Sequence, residues 1–240
     1  MIWKIILFVL MTFVIIAGIT FPIVPQPKVW YEFPIIPGLE EKAKIIFFHV
    51  PTAWLSVIAF LMAMIYGIKY LRKRNIDDDI KSFASLQLGM MFTILATITG
   101  SIWAKFTWGS FWHWDPRETS IFILLLIYGS LLALRSAIDN EDKRASLSAV
   151  YSIIAFLTVP FFIFIMPRIM VGLHPGSLEL DPDTGKVIQG TNPVVDFKMN
   201  ANMRIVFFIS LFTFTILYFW MYQLRYKALI IKDKISKKII

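Results

Sequence analysis

The sequence predicts an all-α, polytopic integral membrane protein of six transmembrane helices, with an external tryptophan-rich segment. Three observations carry that prediction. Of the 240 residues, 58% are hydrophobic and only 17% charged, a balance typical of chains solvated by lipid. Runs of about 20 mostly apolar residues, enough to cross a hydrocarbon core as helix, occur near residues 2–21, 48–70, 83–103, 120–138, 147–167 and 202–223. The basic residues are also spread unevenly over the connections between these runs.

The first run has Lys4 ahead of its apolar stretch, as a secretory signal would. Its apolar length is a full span and no small-residue cleavage pattern follows, so it is read as a retained span. The second follows a Pro-rich segment, residues 22–47, and opens at "FFHVPTAW", where Pro51 suits a first helical turn. The third leads into "WGSFWHWDPRETS", Trp108 to Ser120. The fourth starts from "DPRE", with Asp115 at the N-cap, Pro116 at N1 and Glu118 at N3, the pattern of a capping box. That structural role is preferred to a catalytic one for both acids. The fifth ends just before "MVGLHPG", and the sixth follows a turn-rich loop, 168–201, with a short hairpin expected at "DPDTGK". Short connections on one side make successive spans antiparallel neighbours in a bundle. No internal repeat is visible, and residues 1–240 read as one domain.

With both termini cytoplasmic, the inside segments hold Lys4; Lys69, Arg72, Lys73, Arg74 and Lys81; Arg135, Lys143 and Arg144; and Arg225, Lys227, Lys232, Lys234, Lys237 and Lys238 in a basic tail over 224–240. These are fifteen of the 24 basic residues, packed into short segments. The net charge of +8 therefore reflects insertion and anionic membrane lipid, and no nucleic-acid partner is indicated. The absence of cysteine excludes a disulfide framework, a thiolate metal site and a thiol nucleophile within the chain.

Span parity places His49, His113 and His174 on the external side. Trp108, Phe111, Trp112 and Asp115 fall at i, i+3, i+4 and i+7, one side of a short helix along the membrane surface. Two readings of the tryptophans stand: an interfacial belt, or a platform for a flat, apolar, aromatic ligand. Haem meets the second description, since its ring stacks on aromatic side chains, its iron takes axial imidazoles and its propionates want cations. Arg117 and Lys105 flank the tryptophans, Lys44 precedes His49 and Arg168 precedes His174.

"WGSFWHWDPRETS" resembles the WWD motif of membrane haem-handling proteins of cytochrome c maturation, the CcmC, CcmF and CcsA group. "KIIFFHVPTAW" and "GLHPG" resemble the flanking histidine segments of its haem exporter protein C branch, and the likeness covers nearly the whole chain, with the WWD segment at 103–120. The resemblance implies a haem-binding and transfer protein more than an enzyme with turnover of its own. It would hold haem b at the external, periplasmic face of a bacterial inner membrane and pass it to a periplasmic haem chaperone of the CcmE kind, with ABC-type transporter subunits as further partners. By the same resemblance, His49 and His174 are axial ligands to the iron. Trp108, Trp112, Trp114 and Asp115 belong to the platform, and Arg117 and Lys44 are basic positions. Relatives commonly carry Arg where Lys44 stands, and a Lys lacks the bidentate fork.

The sequence also departs from that branch. "WDPRET" has the Pro and Glu more usual in longer haem-lyase relatives, and His113 is outside the motif, where a rim or hydrogen-bonding role is expected. The alternatives are a haem lyase subunit acting on apocytochrome c, a b-type membrane cytochrome, and a transporter for another solute. The lyases usually have more spans, b-type cytochromes usually place histidine pairs within spans, and no charge lies deep in these spans to mark a solute path.

Overall fold

The computed structural model describes residues 2–181, 183–190 and 199–239. Among them, six helical units are long and apolar enough to cross a membrane, and they run Ile2–Thr20, Glu40–Lys73, Ile76–Trp108, Pro116–Ser136, Glu141–Ile169 and Ala201–Ile235. The chain is a multi-pass helical membrane protein. Its six helices lie over the six expected apolar runs, but two extend well past them, because polar helix-formers continue the turn beyond the lipid-facing stretch. The third starts at Ile76, and the last, α7, runs Ala201–Ile239 through the basic tail.

Helix α1 (Ile2–Thr20) is peripheral. It packs on α7 and exposes Ile5, Phe8, Val9 and Ile16, an apolar surface that lipid covers at no cost. Helix α2 (His49–Lys73), entered through a 3₁₀ segment at Glu40–Phe47, is central and touches α3, α5 and α7. Small residues let it approach its neighbours closely. A Cβ on Gly89 of α3 (Ile76–Trp108) would meet the Phe60 ring at 2.5 Å, and one on Gly67 would lie 3.3 Å from the Ala149 backbone. The α2–α3 turn is tight, with Arg74 in the left-handed region and the Asn75 side chain accepting the Asp77 N–H at 3.0 Å. Three acids, Asp77, Asp78 and Asp79, occupy the first turn of α3, where the helix dipole favours negative charge.

At this same end, Arg135 in the last turn of α4 (Pro116–Ser136) donates two hydrogen bonds to Asp79, at 2.6 and 2.8 Å. Both side chains are buried, so losing either partner would cost about 3–5 kcal/mol. Helix α5 (Glu141–Pro160) does not continue straight. Past Pro160 the chain widens into a π turn at Phe161–Ile165 and closes with α6 (Met166–Ile169), which contains Pro167. Proline removes a backbone donor, and π turns give a helix a localised bend.

Outside the spans, β1 (Ile23–Val24) pairs in parallel with β2 (Phe33–Pro34), and the buried Phe33 anchors that loop against Phe47 and Met203. The expected hairpin is present: β3 (Leu178–Leu180) pairs antiparallel with β4 (Val187–Gln189), although Pro182 of its turn lies outside the described residues. His49, His113 and His174 sit at one end of the bundle, and Arg72, Lys73 and Arg135 at the other. On the charge asymmetry, the histidine end is expected to be the external one. Reporter fusions after residues 76, 142 and 236 are expected to read cytoplasmic and fusions near 35, 110 and 185 external; an external signal at 76 or 142 would invert the assignment.

Candidate ligand site

His49 is the first residue of α2, where its ring is carried toward α3. Its Nδ1 lies 2.9 Å from the Thr99 hydroxyl. The next residue, Gly100, makes the approach possible: a Cβ there would sit 3.0 Å from His49 Cε1. One turn further along α3, Trp103 is only 8% exposed and donates its Nε1–H to the Lys42 carbonyl at 3.0 Å. That bond ties the 3₁₀ approach of α2 to α3, so the position of His49 is set from both sides.

The tryptophan stretch is not the expected surface helix. Helix α3 runs as far as Trp108 and stops at Gly109, whose φ of 87° is left-handed and whose N–H bonds back to the Lys105 carbonyl at 3.1 Å. Lys105 Nζ closes the same end on the Gly109 carbonyl at 2.9 Å. Trp114 also has a positive φ, 57°, and Pro116 disfavours helix in the residue before it. Residues 109–115 are therefore irregular. The capping box that follows is present, with Glu118 accepting the Asp115 N–H and Asp115 capping the helix.

Asp115 does more than cap α4. Its Oδ1 accepts the Arg117 N–H at 2.9 Å, while its Oδ2 accepts the Leu173 N–H at 2.5 Å. The second bond fastens the loop after α6 onto the start of α4. Gly172 fits because a Cβ there would meet Asp115 Oδ2 at 2.8 Å. The latch brings His174 Nδ1 to 3.6 Å from Asp115 Oδ1, within ion-pair range but longer than a hydrogen bond. Burial pushes the Asp115 carboxyl up, but the facing His174 and the N–H groups of Arg117 and Leu173 outweigh it and hold it below its ordinary value. Burial also pushes the His174 imidazole below its ordinary value; Asp115 offsets this in part, and Arg117 adds to the lowering. A neutral imidazole with its Nδ1 proton facing Asp115 keeps the Nε2 lone pair for a ligand.

His49, Arg117 and His174 line two adjoining hollows, of about 110 and 350 Å³, the larger within the range of about 300–1,000 Å³ usual for small-molecule sites. Ala96, Gly100, Trp112, Ile121 and Phe162 contribute to the smaller, and Val50, Trp54, Val57, Trp103, Phe164 and Arg168 to the larger. The walls are mainly apolar, with two imidazoles and the Arg117 guanidinium common to both hollows and the Arg168 guanidinium on the larger one. Neither guanidinium is in a salt bridge among the described residues, and Arg117 Nε is buried without a partner.

Of the residues the sequence singled out, the structure gathers His49, His174, Arg117 and Trp112 around the hollows. Asp115 and Trp108 stand directly behind His174, the Trp108 ring 5.1 Å from the imidazole. Two are placed elsewhere. Lys44 bonds Glu41 at 2.7 Å and the Ile19 carbonyl at 3.2 Å, and lines neither hollow. Trp114 is 65% exposed and packs on Trp112 and Phe122. His113 faces Glu118 at 3.9 Å, its own N–H donates to that carboxylate, and it too lines neither hollow. Arg168 lines the larger hollow, and Trp103, Thr99 and Gly100, which the motif did not single out, stand beside His49 or His174.

The fold and the site together are those of a multi-pass helical membrane protein with two histidines and two arginines around an apolar hollow at one end of its bundle. The chain belongs to the Heme exporter protein C family, whose pattern it matches over residues 4–240. It is similar to Heme exporter protein C of Bradyrhizobium diazoefficiens, 38% identical over 50% of this chain and 46% of that protein. It is also similar to Heme exporter protein C of Rhodobacter capsulatus, 34% identical over 65% of each. A more distant likeness is to cytochrome c biogenesis protein CcsA of Spinacia oleracea, 34% identical over 48% of this chain and 35% of that one. The chain thus spans about half to two thirds of the length of the Heme exporter protein C relatives.

Proposed function

We propose that this protein handles haem in cytochrome c maturation, holding haem b between His49 and His174 at the external face of a bacterial inner membrane and handing it to a periplasmic haem chaperone. The observation that carries the reading is the convergence on one apolar hollow of two imidazoles and two guanidiniums that are in no salt bridge among the described residues. Haem is cargo here, bound in order to be released. Its iron takes the two Nε2 atoms, neither of which has a hydrogen-bond partner among the described residues. Its apolar ring fills space bounded by Trp112, Trp103, the aliphatic side chains of α2 and Ile163 of the turn after α5, with Trp108 fixing the His174 ring from behind. Its two carboxylates meet Arg117 and Arg168, whose planar forks suit that geometry. Lys44, held by Glu41, has no part in this clamp, and exposed Trp114, paired with Trp112 at the rim, belongs to the surface that a partner would approach. ABC-type transporter subunits fit as further partners that drive release.

The likeness to CcsA and the Pro–Glu form of the motif favour a second acceptor, an apocytochrome c to which haem is attached directly. One experiment separates the two. Purified without any partner, the protein is expected to show the optical spectrum of bound haem; co-expression with a haem chaperone should move that haem to the chaperone, and co-expression with apocytochrome alone should leave it in place. A colourless preparation from haem-replete cells would remove the reading altogether.

A further inference from the structure

The larger hollow extends well below the level of the histidines. Its α2 wall is formed by Val50, Ala53, Trp54 and Val57, which share one helix face. At 1.5 Å per residue, Val57 lies roughly 12 Å further along the span than His49. The hollow is flanked by partly exposed side chains that lie within the apolar spans, Trp54 at 43% and Phe164 at 39% exposure. At the opposite end, α2 and α5 are closed on each other by the contact of Gly67 with the Ala149 backbone. Where α5 gives way to the wide turn at Phe161–Ile165, the hollow occupies the space between them. The Phe164 carbonyl of that turn accepts a hydrogen bond from Arg168, which holds a guanidinium at the gap.

This arrangement repeats the gradient of a membrane leaflet: apolar along its depth and cationic at headgroup level. A flat apolar molecule bearing carboxylates rests in a leaflet with its body among the acyl chains and its anions at the surface. Passing sideways into the hollow, it keeps both environments and exposes neither end to the wrong one. Passing down from water, it would carry its apolar ring through solvent first. We propose that the ligand is admitted sideways from the leaflet on the histidine side, through the gap between α2 and the bent outer end of α5, with Trp54 and Phe164 flanking the opening. The proposal rests on the haem reading above and adds the source of the ligand.

The chain has no cysteine, so a single introduced thiol can carry a bulky maleimide label. The full chain would be placed in phosphatidylcholine nanodiscs and haem uptake followed by absorbance. Labels at Trp54→Cys or Phe164→Cys, on the lipid side of the hollow, are expected to slow uptake about tenfold, equivalent to roughly 1.4 kcal/mol of added barrier. A label at Ile36→Cys, on the loop side of the same hollow, should slow it less, and one at Ile154→Cys, on the lipid-facing surface of α5, should not slow it. Uptake blocked at Ile36 but unchanged at Trp54 and Phe164 would overturn the lateral route in favour of water. An unlabelled chain that takes up no haem at all would instead overturn the haem reading.

Discussion

Replacing His49 and His174 together by alanine is expected to abolish bound haem while protein abundance stays near parental. Each single replacement should turn a six-coordinate spectrum into a five-coordinate one and weaken binding by more than the roughly 10–100-fold that losses around a metal's ligands usually cause. The fold should tolerate the change because neither ring carries the packing of a span. His49 meets α3 mainly through Thr99 and over Gly100, and His174 lies in a loop fastened by its neighbour Leu173. His113→Ala should leave the spectrum near parental, since that ring faces Glu118 and lines neither hollow. An unaltered spectrum in the His49/His174 double variant would remove both as ligands.

What the sequence made legible was whatever depends on local order. Apolar length alone located all six spans, and the capping box could be read because Asp115 and Glu118 lie within one helical turn of each other. The helical projection of Trp108 through Asp115 failed for an equally local reason: it ignored Gly109, which ends α3, and Pro116, which keeps its predecessor out of helix. The cationic positions were harder. Lys44 and Arg168 each precede a histidine by about the same number of residues, and spacing cannot rank them. Lys44 sits on a 3₁₀ turn and finds Glu41 three residues back, whereas Arg168 lies beyond the wide turn of α5 and is delivered to the hollow. Gly100 looked like any small residue in a span. Its role beside His49 follows from the α2–α3 register, which no single segment encodes.

The most informative substitution is at Asp115, because the structure gives its two oxygens different duties. If capping were the whole role, Asp115→Asn would be silent, since asparagine caps about as well as aspartate, and only Asp115→Ala would lose about 0.5–2 kcal/mol at the start of α4. But Oδ1 serves the Arg117 N–H while Oδ2 serves the Leu173 N–H, across 58 residues of chain. Asparagine has one acceptor oxygen. Whichever way its amide turns, one of those N–H groups faces an NH₂, and a bond that is part-buried here is lost, at a cost below the roughly 1–3 kcal/mol of a fully buried unsatisfied donor. The cap belongs to α4 itself, so the bond expected to break is the one to Leu173, releasing the segment that carries His174 and removing the charge beside its Nδ1. Asp115→Asn should therefore accumulate near parental levels, bind haem roughly 10–100-fold more weakly, the loss typical when the partner of a ligating histidine is removed, and become sensitive to protease between residues 170 and 180. Asp115→Ala should add a loss of abundance to the same spectral defect. Parental haem binding and protease resistance in Asp115→Asn would confine Asp115 to the helix cap and leave the position of His174 to the packing of Trp103 and Trp108 alone.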